Sequence, residues 1–255
     1  MRKDQLEMLK ALEAFARICR ENDIQWWLCS GTLLGAARHK GFIPWDDDMD
    51  ISMFDEDYKK LEKILVRMDD EDYFYQCIKS DPEHVNVFGK FRKKNDPVFA
   101  ADQRSKYFKY QGVGLDVFSL EKSNRFAAHM AKFLYQNLIH PTQYIKSRFW
   151  RHFAIKSVQL LNFGLLIPLC RLIGHINHKG QYRYKLGSGF YQCGFSAEDI
   201  LPLRTMEFEG IEFPVPGNTD AYLTKIYGDW RKLPSEEQIR KTMHYPLYIK
   251  EIFGE

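Results

Sequence analysis

The chain has 255 residues, of which 45% are hydrophobic and 15% aromatic, and its formal net charge is +3. This length and apolar content support one large core, or one domain with a smaller appended one, and exclude an intrinsically disordered chain. The five cysteines are scattered, odd in number and never in a C-x-x-C pair, which favours reduced thiols over a disulfide framework or a zinc site. We expect neither a signal peptide nor a membrane-spanning helix, because no short apolar leader follows Met1 and no run of about 18 apolar residues exists.

The charges are unevenly distributed along the chain. Residues 122–197 contain no Asp or Glu, but they hold 11 Lys and Arg and five of the eight histidines. The remaining residues carry 26 basic and 34 acidic side chains. This separation indicates that the acid-free segment, residues 122–197, faces an anionic partner. The alternative is a basic face that packs on the acidic remainder.

The first third of the chain alternates helical and extended patterns. Apolar spacing predicts a helix over residues 5–20 and a short buried strand over residues 24–28. A second helix begins near Ser30 and Gly31, with Gly41 as its C-terminal glycine.

The next predicted strand carries an Asp-x-Asp motif. In "DDMDISM", Asp48, Asp50 and Ser52 share one face of the strand, while Met, Ile and Met side chains alternate on the other. An amphipathic helix over residues 55–68 follows, with acidic residues in its first turn.

Further strands and a helical segment complete the pattern. The predicted strands are "YFYQCI", "HVNVFGKFRKK", "DPVFAAD" and "GVGLDVFSL". In the last of these, Asp116 lies opposite the face shared by the neighbouring apolar residues. The acid-free segment is predicted to be mostly helical, with interruptions at Gly164, Pro168, Gly174 and Gly180.

Three local signals mark the C-terminal part. A hairpin is predicted around Glu209 and Gly210, a short helix is closed by Gly228, and "SEEQ" at residues 235–238 has the form of a capping box.

The opening motifs indicate a site for phosphate and a cation. Backbone N–H groups of Ser30, Gly31 and Thr32, at a helix N-terminus, can hold a phosphate. Asp48 and Asp50 on one strand, with a third carboxylate from Asp116, form hard oxygen ligands for Mg²⁺ or Mn²⁺. The alternative is a solvated acidic loop. Asp46 and Asp47 are assigned to the loop before the strand and stay outside the predicted metal set.

These motifs also carry a family resemblance. "SGTLLGAARHKGFIPWDDDMDISM" resembles the signature of the LicD family of phosphocholine transferases. "GLDVFSL" resembles the family's later strand with the third aspartate, and "EFEGIEFPVPGNTDAYLTKIYGDWRKLP" resembles its C-terminal motif. The resemblance covers the first 120 residues and roughly the last 55, and it does not extend to the acid-free segment between them. It implies the polymerase-β-like nucleotidyltransferase fold: an α/β (α+β) domain with a mixed sheet flanked by helices.

The resemblance also implies a bacterial enzyme that decorates cell-surface glycans, such as lipopolysaccharide, teichoic acid or capsule. Its donor would be a CDP-alcohol, typically CDP-choline, and its acceptor a sugar hydroxyl of a glycan, with release of CMP. Carried over, Asp48, Asp50 and Asp116 would bind the metal, with Asp116 also a candidate base. Ser30, Gly31 and Thr32 would contact the donor phosphates, although this chain has Ser-Gly-Thr where many nucleotidyltransferases have Gly-Ser. The implied location is the bacterial cytoplasm, with peripheral attachment to the inner membrane face as an option.

Several basic residues are further candidates for donor binding. Arg38, followed by His39 and Lys40, would either reach phosphates or cap a helix C-terminus. Lys90 and Arg92 share strand parity and would face the donor pyrophosphate, or else protect a solvated sheet edge.

Aromatic residues and the C-terminus offer weaker candidates. Trp26, Trp27 and Trp45 lie within or near the predicted site, where an aromatic face would recognise a quaternary ammonium. Each would equally serve the core. Arg240 and His244 would reach the site from the C-terminal end.

We divide the chain into a catalytic core at 1–121, the basic helical segment at 122–197 and a C-terminal module at 198–255. Residues 146–171 contain an uncharged run bordered by Lys and Arg, which predicts either a membrane-interface helix or a buried core helix. No nucleic-acid partner is expected. Rival functions are transfer from CDP-ribitol, CDP-glycerol or CDP-ethanolamine, true nucleotidyl transfer, and non-catalytic binding.

Overall fold

A six-stranded mixed sheet forms the centre of the computed structural model, which describes residues 2–97, 107–189 and 192–242. Five strands follow the order β1-β2-β5-β4-β3, and β6 pairs with the far end of β5. The strands are β1 Trp27–Leu28, β2 Asp50–Phe54, β3 Tyr73–Gln76, β4 Gly89–Pro97, β5 Gly112–Lys122 and β6 Tyr182–Tyr184. The prediction of a mixed sheet flanked by helices is confirmed.

The pairing directions determine which side chains meet. Strands β2 and β5 are parallel, and every other pair in this sheet is antiparallel. Strand β4 lies between β3 and β5. The alternative interpretation of "FGKFRKK" as a solvated sheet edge is therefore wrong, because both sides of β4 are paired.

Helices cover the sheet and form most of the remaining regular structure of the described residues. They are α1 Lys3–Glu21, α2 Ser30–His39, α3 Asp55–Leu65, α4 Arg125–Leu134, α5 Arg148–Leu161, α6 Ile167–His175, α7 Ala197–Ile200, α8 Thr219–Tyr227 and α9 Glu236–Thr242. Helix α1 buries its apolar stripe on the sheet, where the Phe15 ring lies 5.7 Å from the Phe91 ring. The first two predicted helices are thus present. However, Lys40, with φ of 56°, ends α2 in the left-handed conformation that we had expected at Gly41.

The acid-free segment is helical, as predicted, but two of its predicted interruptions are wrong. Helix α5, a π-turn over Asn162–Leu166 and α6 form one continuous helix, Arg148–His175, through Gly164 and Pro168. The π-turn contains Gly164, and Pro168 is the second residue of α6, directly after the change in hydrogen-bond pattern.

This helix corrects the expectation about membrane spans. By length and composition it could cross a membrane, since its most apolar 18-residue window has a mean hydropathy of 1.6. Lys156 and Arg171 break the apolar run in the sequence, and for that reason we had not expected such a helix. Only 28% of the window is buried inside the protein.

The C-terminal elements share the main core. Strands β7 Arg204–Phe208 and β8 Ile211–Val215 form the predicted hairpin, with Glu209 and Gly210 both at positive φ. Phe208 and Phe213 are buried in the same cluster as the central sheet. The Ser235 and Gln238 capping box is also present. The domain boundaries at 121 and 197 stay predictions. Strand β6, which belongs to the acid-free segment, pairs with β5 of the six-stranded sheet.

Candidate active site

The two strand aspartates lie side by side. Asp50 on β2 and Asp116 on β5 are direct partners in the parallel register, so both side chains emerge on the same face. The Asp116 N–H donates to the carbonyl of Met49 at 2.7 Å, and both aspartates are at most 9% exposed. The structure therefore brings together two of the three predicted ligands by backbone pairing alone.

The third predicted ligand comes from a loop. Strand β2 begins at Asp50, so Asp48 precedes the strand, and its predicted place within the strand is wrong. Oxygen atoms of Asp46, Asp47 and Asp48 all lie within 4.8 Å of one another. Our sequence interpretation left Asp46 and Asp47 outside the metal set, although three consecutive aspartates were a visible signal.

Burial and mutual repulsion act most strongly on Asp50. Burial raises the pKa of its carboxyl well above the usual range, and the charges of Asp48, Asp116 and Asp46 raise it further. The Lys90 ammonium opposes these effects only partly. A site that holds several carboxylates so close together is unfavourable for the ionised forms unless a cation offsets them.

A divalent cation fits this donor set. The groups are carboxylates, which are hard oxygen ligands, and oxygen atoms of Asp46, Asp47 and Asp48 lie within 4.8 Å of one another near the paired Asp50 and Asp116. Asp50, Asp116 and Asp48, with Asp46 or Asp47 as additional donors, are the residues that would hold Mg²⁺ or Mn²⁺.

Lys90 lies on the carboxylate face. It is the β4 partner of Asp116, and its ammonium forms an ion pair with the Asp116 carboxylate. Arg92, two residues further on, donates instead to the side chain of Gln76 at 2.6 Å and to the carbonyl of Gly112 at 2.8 Å. Of the two predicted phosphate contacts, Lys90 is thus the one placed directly beside the aspartates.

Helix α2 presents its N-terminus to the acidic loop. Its first intrahelical bond runs from Leu33 N–H to the Cys29 carbonyl at 3.0 Å, so the N–H groups of Ser30, Gly31 and Thr32 precede that bond. A Cβ at Gly31 would lie only 2.9 Å from Asp46 Oδ2, so glycine allows the loop to come this close.

The hydroxyls of this turn have structural partners. Ser30 is buried in the left-handed conformation, with φ of 47°, and its Oγ lies 3.4 Å from the Tyr184 hydroxyl. Thr32 Oγ1 accepts a hydrogen bond from the Asp50 N–H at 2.8 Å. Contact of these residues with a phosphate would therefore rely on their backbone N–H groups, and Thr32 also positions Asp50.

Arg2 is a residue that the sequence interpretation missed. Its guanidinium donates to the carbonyl of Pro44 at 2.7 Å and to the carbonyl of Asp46. Gln5 reaches the same Asp46 carbonyl at 3.4 Å. The start of α1 thus fixes the acidic loop across 44 residues of sequence, a distance that no local pattern reveals.

The end of α2 meets the C-terminal module beside the acidic loop. Arg38 donates to the carbonyl of Trp230 at 3.3 Å and is electrostatically coupled to Asp46. The His39 ring lies 6.3 Å from the ring of the half-buried Trp45, and burial together with Arg38 lowers the pKa of His39. Lys40, by contrast, pairs with Glu207 at the surface.

The remaining candidates lie elsewhere. Trp26 and Trp27 are 6% and 0% exposed and belong to the main hydrophobic core, which favours the core role for both. Arg240 pairs with Glu236 on α9, and His244 lies outside the described residues.

The mixed sheet and its cluster of carboxylates agree with the nucleotidyltransferase-like fold that the motifs predicted. The family model "LicD/FKTN/FKRP, nucleotidyltransferase domain" matches residues 23–160, more than half of the chain. The chain belongs to this family, as the motifs predicted.

Curated relatives agree with this assignment. The lipopolysaccharide cholinephosphotransferase LicD of Haemophilus influenzae is 28% identical over 99% of this chain and 97% of its own length. The ribitol 5-phosphate transferase FKRP of Homo sapiens is 40% identical over 60 residues, which are 22% of this chain and 12% of FKRP. An uncharacterized protein of Rickettsia prowazekii is 39% identical over 28% of this chain and 27% of its own length. The prediction of a phosphotransferase enzyme is confirmed.

Proposed function

We propose that this protein transfers a phospho-alcohol, in the first instance phosphocholine from CDP-choline, to a sugar hydroxyl of a cell-surface glycan. The observation that supports this most strongly is the pairing of Asp50 with Asp116, with Lys90 and the Asp46–Asp48 loop beside them. The full-length similarity to an enzyme named for lipopolysaccharide choline phosphate transfer supports choline and a glycan acceptor. The chain is also similar, over 60 residues, to a ribitol 5-phosphate transferase that the family description names, so CDP-ribitol is the second candidate donor.

The reaction is a displacement at phosphorus. The oxygen of the sugar hydroxyl bonds to the phosphorus that carries the alcohol, and the bond from that phosphorus to the bridging oxygen breaks. CMP leaves with the electron pair of the broken bond. The proton of the hydroxyl passes to a carboxylate, for which we assign Asp116 because Lys90 fixes its position.

The residues around the aspartates provide the electrostatic support. Lys90 would counter the charge that develops on the phosphate oxygens, and the first N–H groups of α2 would hold a donor phosphate. When bound by the aspartates, Mg²⁺ would neutralise phosphate charge and orient the donor.

The alcohol would lie toward the end of α2. Choline has no hydrogen-bond donor, so its recognition depends on aromatic faces and carboxylates. Trp45 borders the acidic loop, and Trp230 borders Arg38. These two tryptophans replace the buried Trp26 and Trp27 as candidates for that pocket.

A donor panel tests the proposal. The full chain is incubated with Mg²⁺ and CDP-choline, CDP-ribitol, CDP-glycerol or CDP-ethanolamine, and CMP release is measured with and without a glycan acceptor. We expect CMP from CDP-choline, with Asp69→Asn, an exposed surface change, as the unaffected control. CMP from CDP-ribitol alone would reassign the donor, while an acceptor that gains CMP would show true nucleotidyl transfer and overturn the proposal.

A further inference from the structure

One face of the long helix Arg148–His175 is exposed and apolar. Its large outward side chains are mostly Leu, Phe or Trp, and they are nevertheless 47–77% exposed. We name this surface the apolar face, and its members are Phe149, Trp150, Phe153, Leu160, Leu161, Leu165, Leu169, Leu172 and Ile176. The neighbouring α4 exposes Phe126, Met130 and Phe133 as well. A water-facing helix normally exposes polar residues, so this surface is suited to an apolar environment.

The opposite face of the same helix buries both apolar and polar residues. Ile155 and Ile167 are each 1% exposed and belong to hydrophobic clusters. Arg151, Gln159 and Asn162 are buried at 1%, 7% and 0% exposure. Arg151 pairs with Glu83 at 2.8 Å, and Gln159 donates to the carbonyl of His84 at 3.2 Å. Polar and apolar side chains therefore share the inward face, while the outward face carries large exposed apolar side chains, which a helix in water normally lacks. Their exposure shows that the alternative of a buried core helix is wrong for this outward face.

The charged side chains of the helix itself are all basic. Arg148 and Lys156 are exposed at its N-terminal end, and no Asp or Glu occurs anywhere in residues 122–197. Arg151, another basic residue at this end of the helix, is instead buried against Glu83. A second copy of the chain would bring two basic rims together, whereas an anionic lipid surface would attract the rim.

We propose that the apolar face docks the protein on the surface of an anionic lipid bilayer, with the helix lying flat rather than crossing. Both ends of the helix are tied to the catalytic part of the chain: Arg151 to Glu83, and Arg171 to Glu121 on β5 at 3.1 Å. Crossing a bilayer would remove these ion pairs and expose the inward polar side chains to hydrocarbon. A flat orientation buries only the outward residues.

A cavity opens at the N-terminal end of the apolar face. Its volume is about 890 Å³, and its lining includes Lys109, Arg148, Lys156, Phe149 and Phe153 as well as the acidic residues Asp81 and Glu83. Asp81 accepts a hydrogen bond from Gln76 at 2.8 Å and Glu83 pairs with Arg151, so both carboxylates have partners within the protein. Phosphate head groups of the bilayer would meet these three cations while the two rings enter the interface. The basic rim is thus concentrated where the aromatic residues are.

Vesicle binding by the full chain tests the proposal. Co-sedimentation is measured with phosphatidylcholine vesicles and with vesicles that contain about 30% phosphatidylglycerol. Binding should require the anionic lipid, and it should weaken in high salt. Fluorescence of Trp150, which is 60% exposed, should shift to shorter wavelength with anionic vesicles, and the shift should be lost in Trp150→Phe.

Two sets of variants separate apolar from electrostatic contributions. The triple change Leu160→Gln, Leu165→Gln and Leu172→Gln should reduce vesicle binding at least tenfold. The triple change Leu6→Gln, Val66→Gln and Leu233→Gln, at exposed apolar residues elsewhere, should leave it unchanged.

Changing Arg148 and Lys156 to Glu should likewise reduce binding. The control pair Lys63→Glu with Arg67→Glu, at exposed basic residues on or just after α3, should not. CMP release with a soluble acceptor is measured in parallel, so that loss of docking and loss of catalysis are distinguished. Absence of binding to anionic vesicles at low salt, or a concentration-dependent dimer that the leucine changes abolish, would overturn the proposal.

Discussion

Individual side chains at the carboxylate centre are placed by bonds to the backbone. Asp50 is set by its strand register and by the Thr32 hydroxyl, which accepts from its N–H. The Asp46 carbonyl is held by Arg2. These contacts keep like charges together at a cost in stability, which is a common feature of functional sites.

Removing one carboxylate should uncouple stability from activity. In Asp50→Asn we expect transfer to fall at least about 100-fold, while the melting temperature without added cation stays equal or rises, since repulsion is relieved. Added Mg²⁺ should stabilise the wild-type chain more than the variant. Calorimetry with and without Mg²⁺, beside the Asp69→Asn control, measures both effects, and unchanged turnover in Asp50→Asn would show that the site is misplaced.

Thr32 should act through position. In Thr32→Val the Asp50 N–H loses its partner, which should cost about 1–3 kcal/mol in the free energy of unfolding. We expect kcat to fall more than KM changes, and Thr32→Ser to restore most of the activity. Steady-state kinetics of the three proteins decide this, and a Val variant with normal kcat would limit Thr32 to a structural role.

At the scale of elements, strand periodicity was the most informative signal. Alternation of polar and apolar residues predicted that Asp50 and Asp116 lie opposite the apolar faces of their strands, and the pairing of β2 with β5 places the two residues side by side. The alternation failed at Asp48 because β2 begins two residues later, and loop residues follow no period. Arg2 was missed because its role depends on a contact between segments far apart in sequence.

The long helix shows what composition can and cannot predict. Absence of acidic residues predicted a basic surface, yet composition did not reveal which side chains point outward. The helical phase assigns Arg151 to the interior and Trp150 to the exterior. That phase is determined by the packing of the helix on the loop that holds Glu83 and on α4.

The buried ion pair between α5 and that loop should be strongly coupled. Arg151→Met alone should cost about 3–5 kcal/mol, because it leaves Glu83 buried without its partner. The double change with Glu83→Leu should recover much of that loss. Urea unfolding measures the values, and Arg231→Met, at an exposed pair with Asp220, should cost at most about 1 kcal/mol. A loss at Arg151 equal to that at Arg231 would contradict the burial of the pair.

At the scale of the whole molecule, His84 joins the helical segment to the sheet. Its ring contacts the Phe88 carbonyl at 2.8 Å, and its own carbonyl accepts from Gln159. Burial lowers the pKa of His84 to about 4, so the folded protein keeps this ring neutral at pH values where the unfolded chain binds a proton.

This difference predicts acid sensitivity with a defined sign. Above the ordinary histidine pKa near 6.5, the ring is neutral in both the folded and the unfolded chain, and this contribution to stability is fully present. As pH falls toward about 4, protonation of the unfolded chain should lower the free energy of unfolding by roughly 3 kcal/mol. His84→Asn should flatten this part of the pH profile, whereas the exposed His175→Asn should not. Thermal unfolding between pH 7 and 4 tests it, and parallel profiles for wild type and His84→Asn would contradict the assignment.

The central claim is that the Asp50 and Asp116 centre moves the phospho-alcohol half of a CDP-alcohol. Mass spectrometry of the glycan acceptor after incubation with CDP-choline and Mg²⁺ tests it most directly. The account predicts an acceptor that gains one phosphocholine for each CMP released, and no gain with Asp50→Asn or Asp116→Asn. An acceptor that gains a cytidylyl group, or an equal gain of phosphocholine with the two variants, would contradict it.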